Sequence, residues 1–169
     1  VSTPQTLEEF MALALAMERE AAERYTDFAD TLEAHNNRDV AALFRTMAKY
    51  EARHAEQIMA QMGWSAAPAL PATSPWPEAE APETVPIDEV HYLMQPWHAL
   101  QLALAAERRA ERFFAELARR AEDESVRRAA QRLQAEEAEH VALVQAWLAQ
   151  VPPPSGDWDL DPDPPRYND

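Results

Sequence analysis

The same pattern occurs twice in this chain. Glu51-x-x-His54 sits in a stretch framed by Val40, Phe44, Met47, Ile58 and Met62, and Glu137-x-x-His140 sits in one framed by Val126, Leu133, Val144 and Trp147. Superimposed, Val40 falls on Val126, Met47 on Leu133, Glu51 on Glu137, His54 on His140 and Ile58 on Val144. The preceding stretches superimpose too, pairing Met11 with Leu100, Ala14 with Ala103, Glu18 with Glu107, Ala21 with Ala110, Tyr25 with Phe114, Phe28 with Leu117 and Leu32 with Ala121. Residues three or four apart share one face of an α-helix. The apolar steps of three and four therefore describe helix faces turned toward a core. Each face carries one glutamate or one Glu-x-x-His. A buried carboxylate without a partner is costly, so it must be protonated, paired or bound to metal.

The repeat predicts an all-α fold made of two antiparallel helix hairpins. Thr6-Leu7-Glu8-Glu9 has the form of a capping box that opens the first helix, and the His35-Asn36-Asn37 cluster ends it, with Asn36 or Asn37 as the next cap. Gly63 is a natural stop for the second helix. Glu122-Asp123-Glu124-Ser125 forms the second short turn, and Pro152-Pro153-Pro154 closes the fourth helix. The expected helices are 7–34, 37–62, 97–121 and 125–150. Residues 64–86 carry Pro68, Pro71, Pro75, Pro77, Pro82 and Pro86, which exclude a long helix. They read as a surface crossover anchored by Trp64 and Trp76, joining helices that are not hairpin partners. Helical pattern resumes at Ile87, and Pro96 either kinks that helix or starts a new one. The expected domain is 1–151, with residues 152–169 a Pro- and Asp-rich tail without regular structure.

Height along the bundle links the two motifs. The midpoints of Glu18 and Glu51 and of Glu107 and Glu137 both fall in the predicted turns. At 1.5 Å per residue, both pairs then stand about 23–25 Å from their turns. Packed together, the hairpins would bring four carboxylates and two imidazoles to one level, which only cations would make tolerable.

Composition narrows the chemistry. The chain has no cysteine, so thiolate metal sites, iron–sulfur clusters, disulfides and thiol catalysis are excluded. A net charge of −15 argues against a general nucleic-acid binder. No apolar run approaches the length of a membrane span and no signal segment opens the chain, so the cytoplasm is the expected location.

One glutamate from each of two helices plus Glu-x-x-His from each of two others is the ligand pattern of ferritin-like di-iron or di-manganese bundles. Glu18-x6-Tyr25 followed by Glu51-x-x-His54 resembles the rubrerythrin branch, and the resemblance spans residues 7–150. It implies a ferritin-like antiparallel four-helix bundle of two repeated hairpins joined by a long crossover. Glu18 and Glu107 would be terminal ligands, Glu51 and Glu137 would bridge, and His54 and His140 would bind one metal each. The metals would be two ions of Fe, with Mn or Zn as other occupants. Two features depart from the family. Ala110 stands where rubrerythrins carry an extra carboxylate, and a cysteine-free chain holds no rubredoxin domain.

The expected activity is Fe(II) oxidation coupled to reduction of O2 or H2O2, with an unidentified electron donor. The alternatives are iron storage and a structural metal bundle without turnover. Storage ranks second because a Pro-rich tail cannot supply a fifth helix. The resemblance also implies a homodimer, whose sizing would separate it from a storage shell. Tyr25 either packs in the core or bonds a ligand carboxylate as a possible catalytic group. His35, His91 and His98 fall off the constellation, and Glu20, Glu23, Glu56, Glu136 and Glu139 are expected on the solvated face. Asp157, Asp159, Asp161 and Asp163 lack the Gly and terminal Glu of an EF-hand.

Overall fold

The computed structural model describes residues 3–70 and 95–153. Four helices account for most of them: α1 (Leu7–Ala34), α2 (Arg38–Met62), α3 (Pro96–Arg120) and α4 (Glu124–Gln150). No strand occurs among the described residues. The α1 helix packs along α2, and α3 along α4, as the repeat predicted.

Local chemistry sets the boundaries. Thr6 accepts a hydrogen bond from the Glu9 amide at 3.1 Å, while the Glu9 carboxylate accepts one from the Gln5 amide at 3.0 Å. At the first turn the two asparagines divide the work. Asn36 takes the left-handed conformation (φ 63°), and the Asn37 amide reaches back to the Leu32 carbonyl at 2.8 Å, closing α1 as a Schellman motif. Asn37 then caps α2 without a side-chain bond. Gly63 (φ 67°) closes α2 the same way, with the Trp64 amide bonded to Met59. Asp123 caps α4 by accepting from the Ser125 and Val126 amides at 2.9 and 3.1 Å. Pro96 stands at the start of α3, where its missing N–H costs nothing. It begins a helix rather than kinking one.

The core divides into two apolar plugs. One combines the first half of α1, the C-terminal part of α2, the second half of α3 and the start of α4, around Phe10, Met17, Ile58, Phe114 and Leu133. The other combines the remaining halves, around Tyr25, Phe28, Phe44, Leu100 and Val144. This distribution fixes the directions: α2 and α3 run antiparallel to α1, and α4 runs parallel to it. The chain thus leaves α2 at one end of the bundle and enters α3 at the other, which demands a long crossover. Trp64 and Leu70 pack partly buried against the first plug. The rest of the expected crossover, with Trp76, lies in residues 71–94, and the acidic tail in 154–169, both outside the described residues.

Phe44 is the keystone of the second plug. Its ring stacks on Tyr25 (5.7 Å between centroids) and on Phe28 (5.2 Å) and is fully buried. Phe44→Ala should cost about 3–5 kcal/mol of stability, read as a lower denaturant midpoint, and should release the Tyr25 ring.

Candidate metal centre

Between the two plugs lies a polar layer. Glu18, Glu51, Glu107 and Glu137 are completely buried, and His140 nearly so. Each comes from a different helix or half of the repeat: Glu18 from α1, Glu51 and His54 from α2, Glu107 from α3, Glu137 and His140 from α4. The structure brings all six expected residues together at one level.

They form two groups that share Glu51, while Glu137, expected to bridge as well, stands in one of them. Ligand atoms of Glu51, Glu107, Glu137 and His140 lie within 4.8 Å of one another, as do those of Glu18, Glu51 and His54. Nδ1 of His140 is 2.9 Å from Glu51, 3.5 Å from Glu107 and 3.6 Å from Glu137. Nδ1 of His54 is 3.7 Å from Glu18. The two imidazoles lie parallel, 5.6 Å apart.

These atoms are close but are not aligned as donors and acceptors. Both oxygens of Glu18, Glu51 and Glu137, Oε2 of Glu107 and Nδ1 of both histidines have no hydrogen-bond partner. Each unmet buried polar group costs about 1–3 kcal/mol, and a charged one more. Such a layer is rational when its lone pairs converge on a third atom. Oxygen and imidazole donors without thiolate suit Fe or Mn, and also Zn, so the residues present fit a pair of divalent ions.

Burial and crowding of like charges act on these groups unequally. Burial pushes the Glu51 carboxyl well above the ordinary range, and the neighbouring Glu18 charge pushes it further. Burial does the same to Glu137, helped by its contact with Glu107. Burial also opposes ionisation of Glu107, but its close approach to Glu137 and His140 and the Tyr25 hydrogen bond outweigh it and hold its pKa low. Burial disfavours the His140 cation, yet three surrounding carboxylates raise its pKa far above the imidazole range. Contact with Glu18 raises that of His54.

Tyr25 reaches across the bundle. Its hydroxyl donates a 2.6 Å hydrogen bond to Oε1 of Glu107, on α3. Packing and hydrogen bonding are thus both satisfied, and the carboxylate it orients belongs to the other half of the repeat. Phe114, its counterpart, offers no hydroxyl.

The expected solvated face needs correction at two glutamates. Glu136, assigned to the solvated face, is partly buried, with Oε2 at 3.7 Å from Nδ1 of His54. Its counterpart in the repeat is Tyr50, whose ring stacks over His140 at 6.5 Å. Glu20, expected on the same face, is also partly buried, while Glu23, Glu56 and Glu139 are exposed as expected. His35 ends α1, and His98 lies in the first turn of α3 beside Trp97, about 14 Å along the helix from Glu107. His91 is outside the described residues.

The Rubrerythrin family model matches residues 9–148. The chain belongs to the rubrerythrin family. An uncharacterized conserved protein from Magnetospirillum magnetotacticum MS-1, of known crystal structure, is 41% identical over 89% of this chain and 98% of its own, with a TM-score of 0.74. No curated protein matches. A rubrerythrin-type bundle holding a buried carboxylate–histidine cluster suggests a di-metal site. Among the described residues no helix is long and apolar enough to cross a membrane.

Proposed function

We propose that this rubrerythrin-family bundle binds two iron ions and oxidises Fe(II) with reduction of O2 or H2O2. The observation that carries the reading is the pair of converging groups sharing Glu51, with their hydrogen-bonding capacity unspent. Glu18, Glu51 and His54 would hold one ion and Glu51, Glu107, Glu137 and His140 the other. Two Fe(II) ions supply two electrons, enough with two protons to reduce H2O2 to two waters or O2 to H2O2.

The protein's own groups would do the rest. The two apolar plugs keep bulk water from the layer. Glu51, common to both groups, ties the positions together. Burial favours the protonated forms of Glu51 and Glu137, and entering cations would displace those protons. Tyr25 donates to Oε1 of Glu107 and leaves Oε2 facing the centre, so it restricts how that carboxylate can turn.

Anaerobic Fe(II) loading with metal analysis, followed by rapid mixing with O2 or H2O2, tests the proposal. Two ions per chain and a fast ferric absorbance change are expected. A di-ferrous protein inert to both oxidants would leave a structural or iron-binding role. Tyr25→Phe should change the oxidation rate by more than it changes Fe(II) affinity, because the hydroxyl orients a ligand without contacting metal. Identical oxidation kinetics in the variant would return Tyr25 to a packing role.

A further inference from the structure

The two halves of the centre are not equally enclosed. Glu18, Glu51, Glu107 and Glu137 have essentially no exposed side-chain surface, and the His140 imidazole shows 9%, whereas His54 shows 18%. The exposed part of His54 faces a cleft of about 210 Å³ between α2 and α4, walled by Gln57, Gln61, Arg132, Leu133 and Glu136, with Met11 behind. On the α1–α3 side, by contrast, the Tyr25–Glu107 bond and the Tyr25–Phe44 stack close the layer. Over His140 the Tyr50 ring occupies the place that Glu136 holds over His54.

We infer that the α2–α4 cleft is the port through which divalent cations enter and leave the centre, with Glu136 receiving the ion and passing it to Glu18, Glu51 and His54. Three features support this. Glu136 puts Oε2 3.7 Å from His54 Nδ1 while 30% of its side chain still meets solvent, so it touches both the centre and the outside. Directly behind His54, both oxygens of the fully buried Glu18 lack a hydrogen-bond partner. The position reached first has three donors and the one behind it has four, so an ion moving inward gains ligands at each step. Arg132 stands beside the same opening.

The inference rests on the proposed metal centre, and its test separates the two. Co(II) is a suitable probe, because its visible absorption reports coordination and it is not oxidised on binding. Uptake is followed by stopped flow and release by adding excess chelator, in wild type, Glu136→Gln and Glu136→Lys. Glu122→Gln and Glu122→Lys make the same charge changes at an exposed position in the turn between α3 and α4, about 21 Å along the bundle from Glu136. Glu136→Gln should slow uptake about tenfold and Glu136→Lys by more, since a local charge lining an entrance governs the on-rate. Both variants should still reach two Co(II) per chain, and the Glu122 variants should load like wild type. Unchanged uptake in Glu136→Lys, or equal slowing at both positions, would overturn the port. Failure of wild type to bind two Co(II) would instead overturn the metal centre.

Discussion

Glu51→Ala is expected to reduce binding from two metal ions to at most one. Glu51 alone belongs to both ligand groups, so its loss removes a donor from each position at once. The position formed with Glu18 and His54 would keep two protein donors, too few to hold a divalent ion against water. The other would keep Glu107, Glu137 and His140. Glu137→Ala, which strips a donor from one group, should therefore do less damage than Glu51→Ala. The metal-free proteins should order the opposite way to naive expectation. Because burial and the Glu18 charge raise the Glu51 pKa, replacing this carboxylate by an uncharged group of equal size removes a destabilising element. Glu51→Gln should consequently melt at or above the wild-type temperature without metal, and below it with metal. Titration with Fe(II) or Mn(II) under anaerobic conditions, paired with thermal melts of both forms, checks the two halves. Two tightly bound ions in Glu51→Ala would remove it as the shared ligand.

How much of this was readable from residues alone depended on whether the signal was periodic. Glu18 and Glu107 stood out because each is the one charged residue on an otherwise apolar seam, and both prove fully buried. Helix ends were legible where a cap has its own chemistry: Thr6, Gly63 and Asp123 each do what their side chain or conformation favours. The fate of Pro96 was open, because both a kink and a helix start satisfy a missing N–H. Glu136 was not legible. It neighbours Glu137 and so points about 100° away around the helix, and only the spacing between α2 and α4 decides whether that direction meets solvent or His54. The partner of Tyr25 was hidden for a related reason. Periodicity places a side chain on a face of its own helix, but not which residue across the bundle meets it. That contact depends on how the two hairpins rotate against each other, which a repeat does not encode.

The largest stability effect should come from metal, and pH should reveal its origin. In the metal-free layer, Glu51 and Glu137 have pKa values raised well above the unfolded carboxyl value, chiefly by burial. A raised folded-state pKa contributes stability that is complete below the unfolded value near 4.5 and is lost as pH climbs through the folded value. His140 adds the same sign at higher pH, since its pKa is raised by the surrounding carboxylates. Glu107 acts oppositely: its lowered pKa contributes stability above 4.5 that is lost on acidification through the folded value. Two groups against one in the acid range give a net expectation. The metal-free protein should become less stable as pH rises from about 5 toward 8. Cations invert that slope, because they compete with protons for the same oxygens and bind better as pH rises. At a free concentration one hundred times Kd, each site adds about 2.7 kcal/mol. Two sites then add about 5 kcal/mol, or a Tm rise on the order of 10–20 °C for a domain of this size. Thermal melts at pH 5, 6.5 and 8, with chelator and with saturating Mn(II), give both slopes. A metal-free Tm that rises with pH would show that the carboxylates are paired rather than strained. A Tm indifferent to Mn(II) would show that the layer does not hold that ion.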